Sequence, residues 1–344
     1  MGGMTTEQTD VQERLRRWCA ATLGEELVEV RRLTGGNSNE TSLLLTDAGR
    51  RIIRRPPAAA ISASAHSMER EHRILTALAQ TDVPAPRPLA LCIDPDVLGA
   101  QFIVMSFVDG VSLTDTLPAA YPPGAESARA IGEAFVDALA ALHSAPWQEI
   151  GLADFGKPAG FLERQVSRWR GQYSRYKVRE IPAFDQVADW LERSLPPSFE
   201  PGILHGDFHL DNCLVAKAPP ARVLAIVDWE MATIGDPLLD LGLALAFWGD
   251  DRPAAPPFPH IQQVSRVPGS PSREELAARY AATSGRSVEH LPYYLALAFW
   301  KLAAIVEGAY AQLLSGQQDT DYARNLEHDV PALLEEAAGF AGLR

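Results

Sequence analysis

The hydrophobic pattern of this chain changes period near residue 110, and that change limits its architecture more than any other feature. Upstream, Leu27–Leu33, Thr41–Thr46 and Arg51–Arg54 are short β-like runs separated by the turns Gly35-Gly36-Asn37 and Asp47-Ala48-Gly49, which predicts an antiparallel meander. Leu89–Ile93 and Gln101–Phe107 supply two more strands. Residues 7–23 carry Val11, Leu15, Trp18 and Leu23 at roughly helical spacing, and Ser67–Ala79 carries Met68, Ile74, Leu75 and Leu78 on one helical side. Downstream the spacing is helical over Ser127–His143, Phe161–Tyr176, Ala183–Leu195 and Leu291–Leu314, interrupted by the short apolar strands Cys213–Val215 and Val223–Val227. A β-rich lobe over residues 1–108 followed by a larger helical lobe over 109–344 is the expected α+β arrangement. Arg252–Pro271 breaks the pattern with six prolines; it reads as a surface loop, with a lid as the alternative.

Composition excludes several function classes. The net charge of -13 argues against broad contact with nucleic acid or anionic membranes, both of which call for basic surface. Cys19, Cys92 and Cys213 are too widely spaced for a zinc pattern or a disulfide framework and fit a reducing compartment. No apolar run approaches the roughly 18 residues of a membrane span, and the N-terminus lacks the apolar core of a signal peptide. The expectation is a cytoplasmic protein with no obligate protein partner.

The chemistry concentrates in Ile203–Val215, where His205-Gly206-Asp207 is followed by Asn212 and an apolar strand. A kinase catalytic loop has this spacing. Asp207 is placed to accept the proton of an attacking hydroxyl, and Asn212, five residues on, to bind magnesium. Sixteen residues beyond Asn212, Asp228 follows a second apolar strand, where a kinase carries the acid that bridges magnesium to the nucleotide phosphates. Magnesium often takes only one or two oxygen ligands from protein, so this pair suffices. Two rival readings use the same residues. His205, Asp207, His209 and Asp211 alternate, as a metal-dependent hydrolase cluster would, but that leaves Asn212 and Asp228 unexplained. A nucleotide-binding pseudokinase is the other, against which stand three intact catalytic positions.

Taken together, His205-Gly206-Asp207-Phe208-His209 with Asn212, then Val227-Asp228-Trp229-Glu230, then Gly235-Asp236-Pro237-Leu238-Leu239-Asp240-Leu241, resemble the aminoglycoside phosphotransferase and choline-kinase-like superfamily over about residues 28–315. The resemblance implies a protein-kinase-like two-lobe fold, ATP and Mg2+ as cofactors, and phosphoryl transfer to a small-molecule hydroxyl. It implies further that Leu33–Thr41 is the phosphate loop, with Gly35, Gly36, Ser38 and Asn39 near the phosphates. At the end of the third strand it implies a phosphate-facing cation. Alternation from Ile53 favours Arg54, with Arg55 as the alternative. Glu71 then corresponds to the cation's ion-pair partner, with Glu69 as its neighbouring competitor. Phe102–Gly110 looks like the inter-lobe hinge, with Met105 at the back of the adenine pocket and backbone groups of Ser106 and Val108 facing the base. Asp240 corresponds to a residue at a helix start that braces the catalytic loop.

The acceptor is a separate question. Arg164–Arg179 holds six basic residues and no acid, which reads either as a solvated basic helix face or as an anion-accepting surface. Arg164, Arg168 and Arg170, with Glu230, are the candidate acceptor contacts. The segment from Phe161 to Trp169 also resembles the kinase domains fused to acyl-CoA dehydrogenase-like proteins, a branch associated with hydroxylated acyl groups. That implies an anionic or hydroxyacyl acceptor, with a true aminoglycoside phosphotransferase, acting on polycations, as the alternative.

Overall fold

Strand β3 (Gly49–Arg55) is the centre of a five-stranded antiparallel sheet ordered β1-β2-β3-β5-β4, where β1 is Leu27–Arg32, β2 Glu40–Thr46, β4 Pro88–Cys92 and β5 Phe102–Ser106. The computed structural model describes residues 6–33, 39–57, 67–113, 116–197, 199–249 and 263–343. Alternation gives the sheet two different faces. Leu44, Ile53, Phe102 and Val104 bury against Leu15 and Cys19 of helix α1 (Thr6–Thr22), with Trp18 edge-on to Phe102 at 4.8 Å between ring centres. Ile52, Ile103 and Met105 face the other way, toward the main core. Arg54 is two residues from Ile52 and shares that face.

Helix α2 (Met68–Leu78) starts at Ser67, whose hydroxyl accepts the N–H of Arg70, and buries Met68, Glu71, Ile74, Leu75 and Leu78. Spacings of three and four residues put all five on one face, so Glu71 enters the core side and Glu69 stays exposed. The four-residue turn α3 (Pro95–Leu98) links β4 to β5.

The second lobe is built around α9 (Leu291–Leu314), against which α5 (Phe161–Tyr176), α6 (Pro182–Arg193), α7 (Leu238–Phe247) and α10 (Asp321–Phe340) pack; α4 (Ala125–Ser144) packs on α8 (Arg273–Ser284). By length and a mean hydropathy of 1.2, α9 could cross a membrane, contrary to the reading of the sequence; 78% of that stretch is buried, so its apolarity is spent on the core. Two small ladders carry the catalytic segments: β6 (Gly202–Leu204) with β9 (Thr233–Gly235), and β7 (Cys213–Val215) with β8 (Val223–Ile226). Val111 and Val215 exchange backbone hydrogen bonds of 2.8 and 2.9 Å, which ties the segment after β5 to the end of the catalytic loop.

Helices α8 and α10 are absent from the sequence reading, and α7 enters it only as the helix start at Asp240 that the resemblance implies. α7 is apolar on nearly every side, so it shows no period to detect. α10 continues through Pro331, a residue that argues against helix. Of the Pro-rich stretch, residues 252–262 lie outside the described residues. From Gln263 onward it is no surface loop: Val264 and Ser265 are buried, Ser265 Oγ accepts the Gly249 N–H at 2.8 Å, and Trp248 Nε1 donates to Pro271 O at 2.9 Å.

Candidate active site

A cleft of about 850 Å³ lies between the lobes, lined by Ile52, Arg54 and Met105 above and by Asp207, Asn212 and Asp228 below. The lower group is assembled by backbone. Asp240, in the first turn of α7 and fully buried, accepts the N–H of His205 at 2.6 Å and of Gly206 at 3.0 Å. The His205 ring donates through Nε2 to Val227 O at 2.9 Å, and the Val227 N–H donates to Asn212 O at 2.8 Å. These bonds hold the loop of Asp207 beside the segment that carries Asp228. His205 is thus a strut between the two segments; as for the rival metal cluster, no group of three or more His, Cys, Asp and Glu side chains converges among the described residues.

Gly206 has φ +87°, and a Cβ there would stand 2.6 Å from Met231 O, so this turn demands glycine. Asp228 is at φ 69°, a positive value that among the described residues no other non-glycine has. Backbone strain of this kind is typical of functional sites.

Asn212 donates through Nδ2 to Asp207 O at 2.9 Å and Asp207 Oδ2 at 3.1 Å. Its Oδ1 meets no donor among the described residues. That oxygen and the Asp228 carboxylate are hard donors, which fits magnesium. Burial alone would raise Asp207, but the hydrogen bond and charge of His209, 3.4 Å away, with His205 and Lys301, outweigh it and hold the carboxyl well below its usual range. Its side chain remains 47% exposed, open to an incoming group.

On the upper side Arg54 meets three acids. Its Nε lies 3.3 Å from Glu71, Nη2 bonds Asp228, and Glu230 is 3.7 Å away. Arg55 points elsewhere, to Glu40 and to Leu98 O. Burial pushes Glu71 up to about 7, opposed by Arg54 and helped by Asp228 and Glu230. Ser106 spends its N–H on Arg87 O at 2.8 Å, leaving its carbonyl as the group available to a base; the Val108 N–H has no acceptor among the described residues. Gly35, Gly36 and Ser38 lie outside the described residues. Asn39 is buried and donates to Glu230 Oε2 at 2.9 Å. Glu230, expected at the acceptor, is therefore turned toward the first lobe.

The basic helix face is corrected in detail. Arg164 bonds the carbonyls of Lys157 and Ala159, Arg170 is paired with Asp189 at 2.6 Å and Glu192 at 3.1 Å, and Arg179 with Glu307. Acids from α6 and α9, remote in sequence, neutralise much of it. Of the three candidates only Arg170 is ion-paired among the described residues; Arg164 is held by backbone carbonyls, and Arg168 keeps neither. Lys301, which the sequence reading passed over, enters the site from α9: its Nζ bonds Gly206 O at 3.4 Å. A lysine inside a largely apolar helix was its signal.

A five-stranded lobe over a helical lobe, with Asp207, Asn212 and Asp228 facing Arg54 and Glu71 across a cleft, is the arrangement of a kinase-like phosphotransferase. The chain belongs to the phosphotransferase enzyme family, APH, which residues 29–300 match. It is 34% identical over 315 residues to acyl-CoA dehydrogenase family member 11 of Gallus gallus, covering 90% of this chain and 40% of that protein. To member 10 of Mus musculus it is 33% identical, covering 96% of this chain and 31% of that one. The chain thus spans two fifths or less of the length of these relatives. A solved Ralstonia eutropha protein, provisionally assigned as an aminoglycoside phosphotransferase, superposes with a TM-score of 0.81 at 29% identity over 96% of this chain and 98% of that one. The ternary complex of aminoglycoside phosphotransferase APH(4)-Ia with AMP-PNP and hygromycin B shares the fold, with a TM-score of 0.61 at 14% identity over 94% of this chain and 99% of that one.

Proposed function

We propose that the protein transfers the γ-phosphoryl group of ATP to a hydroxyl of a small molecule. The observation that carries this reading is the convergence of Asp207, Asn212 and Asp228 on one side of the cleft, with the Arg54–Glu71 pair opposite. Adenine sits against Met105, with the Ser106 carbonyl and the Val108 N–H facing its edge. Arg54, anchored by Glu71, turns its guanidinium from Asp228 to the phosphates; its planar fork suits them and keeps its charge. Asn212 Oδ1 and Asp228 hold magnesium, which when bound neutralises charge on the phosphates. Asp207, kept ionised, orients the attacking hydroxyl and takes its proton late, as a loose phosphoryl-transfer transition state allows. This site belongs to a protein of the cytoplasm in our reading.

The acceptor is anionic or neutral. The names of the acyl-CoA dehydrogenase family relatives make hydroxyacyl compounds the first to test. A phosphate-transfer screen by 31P NMR should include hydroxy acids, hydroxyacyl thioesters of coenzyme A and aminoglycosides. Transfer to a hydroxy acid or thioester that disappears in Asp207→Asn supports the reading. Efficient turnover of aminoglycosides alone overturns the acceptor assignment, and absence of Mg-ATP binding overturns the reading as a whole.

A further inference from the structure

Lys301 is 8% exposed, in the middle of α9, with no carboxylate within ion-pair distance among the described residues. An ammonium carries three N–H donors. Among the described residues its Nζ meets one hydrogen-bond acceptor, Gly206 O, and that bond is long at 3.4 Å. Burying a cation with two unused donors is unfavourable unless something else compensates. The ring of Trp169, on α5, lies 5.3 Å from Nζ and supplies part of that compensation. The same ring carries Arg168 at 5.1 Å, exposed and free of ion pairs among the described residues. Two cations therefore share one indole, the inner one on the residue preceding Asp207 and the outer one at the surface.

We propose that Lys301, with Arg168 beyond it, is an anion site on the acceptor side of the catalytic loop, built to hold a carboxylate or phosphate group of the hydroxyl-bearing substrate. The inference rests on the phosphotransferase reading, narrows its anionic or neutral acceptor to an anionic one, and adds the residues that select it. An anion at this point satisfies the two unused donors of Lys301 and stands beside the loop whose Asp207 receives the hydroxyl proton. Burial lowers the Lys301 pKa, and Arg168 lowers it further, against the pull of Asp207 and Asp240; an arriving anion reverses that tendency, so binding and charging of the lysine reinforce each other. A polycation meets like charge there and is repelled. This also explains how a chain of net charge -13 draws an acidic acceptor to its own catalytic aspartate: the local field near α5 and α9 differs from the average.

The test uses the full chain and straight-chain hydroxy acids against the diols and amino alcohols of matching length, with phosphate transfer read for each. Wild type should prefer the acid to the diol and the diol to the amino alcohol in kcat/KM. Lys301→Met should lower the acid-to-diol ratio by about tenfold or more, the scale of one charge-assisted contact. The ratio is the informative quantity, because any effect of Lys301 on Asp207 is common to all acceptors and cancels. Lys301→Arg retains the charge and should restore most of the preference. If Lys301→Met does not fold, Arg168→Gln, at an exposed position, should lower the same ratio by a smaller factor. An unchanged ratio in the variant that folds, or a wild type indifferent to the end group, overturns the anion site while leaving phosphotransfer intact. Failure of the wild type to transfer phosphate to any of these compounds overturns the anion site, whereas only failure to bind Mg-ATP overturns the phosphotransferase reading beneath it.

Discussion

Asp240 and His205 are joined by a 2.6 Å hydrogen bond from the His205 backbone N–H to the Asp240 carboxylate, deep in the second lobe. Gly206 donates to the other carboxylate oxygen. The first turn of α7 thus fixes the backbone immediately before Asp207, and an acid suits that position at a helix N-terminus. Asp240→Asn forces an amide N–H toward one of the two donors. It should destabilise the fold by about 1–3 kcal/mol and lower the transfer rate, with Mg-ATP affinity little changed. Urea melts and calorimetric titration of Mg-ATP separate the two effects; a loss of nucleotide affinity equal to the loss in rate contradicts a role confined to the catalytic loop.

Asp207→Asn and Asp228→Ala should differ in kind. The first removes the proton acceptor and should reduce transfer by about 10²–10⁴-fold with Mg-ATP binding retained. The second removes a magnesium ligand and a partner of Arg54, so it should weaken Mg-ATP binding as well as rate. Titration of both variants checks this: unchanged Mg-ATP affinity in Asp228→Ala takes that residue out of the metal site.

Glu71 gives the site a pH dependence. Its pKa is raised in the fold, from 4.5 to about 7. The stability it contributes is therefore fully present below about 4.5 and is lost as pH rises through about 7. Glu71→Gln, which cannot ionise, should flatten that part of the curve in nucleotide-free protein. Urea midpoints of both proteins at several pH values decide it; parallel curves mean that another group carries the dependence.

The cysteines should be inert in the native state. All three are buried, and burial, assisted by Glu25, pushes the Cys19 thiol up to about 11; those of Cys92 and Cys213 are also raised. Since the thiolate is the reactive form, a disulfide reagent at neutral pH should label none of them quickly and all three after denaturation. Rapid labelling of native protein indicates an opening of the α1 or catalytic-loop packing.

What the sequence by itself determined is what depends on spacing. Asp207, Asn212 and Asp228 sit at intervals that a strand-turn-strand path brings together, and alternation along β3 puts Arg54 on the face opposite Ile53. Periodicity settles the direction of a side chain within its own element because pleat and helical pitch are local geometry. Tertiary structure decided which residues meet across elements. The rotation of α2 against the sheet chose Glu71 over Glu69 as the acid beside Arg54. The placement of α6 and α9 neutralised Arg170 and Arg179, which in sequence look like part of an open basic face. Lys301, a lysine in a largely apolar helix, acquired its place at Gly206 only because α9 packs beneath the catalytic loop. Such pairings follow from how helices rotate and cross when the core closes, and that depends on many weak contacts summed over the whole chain.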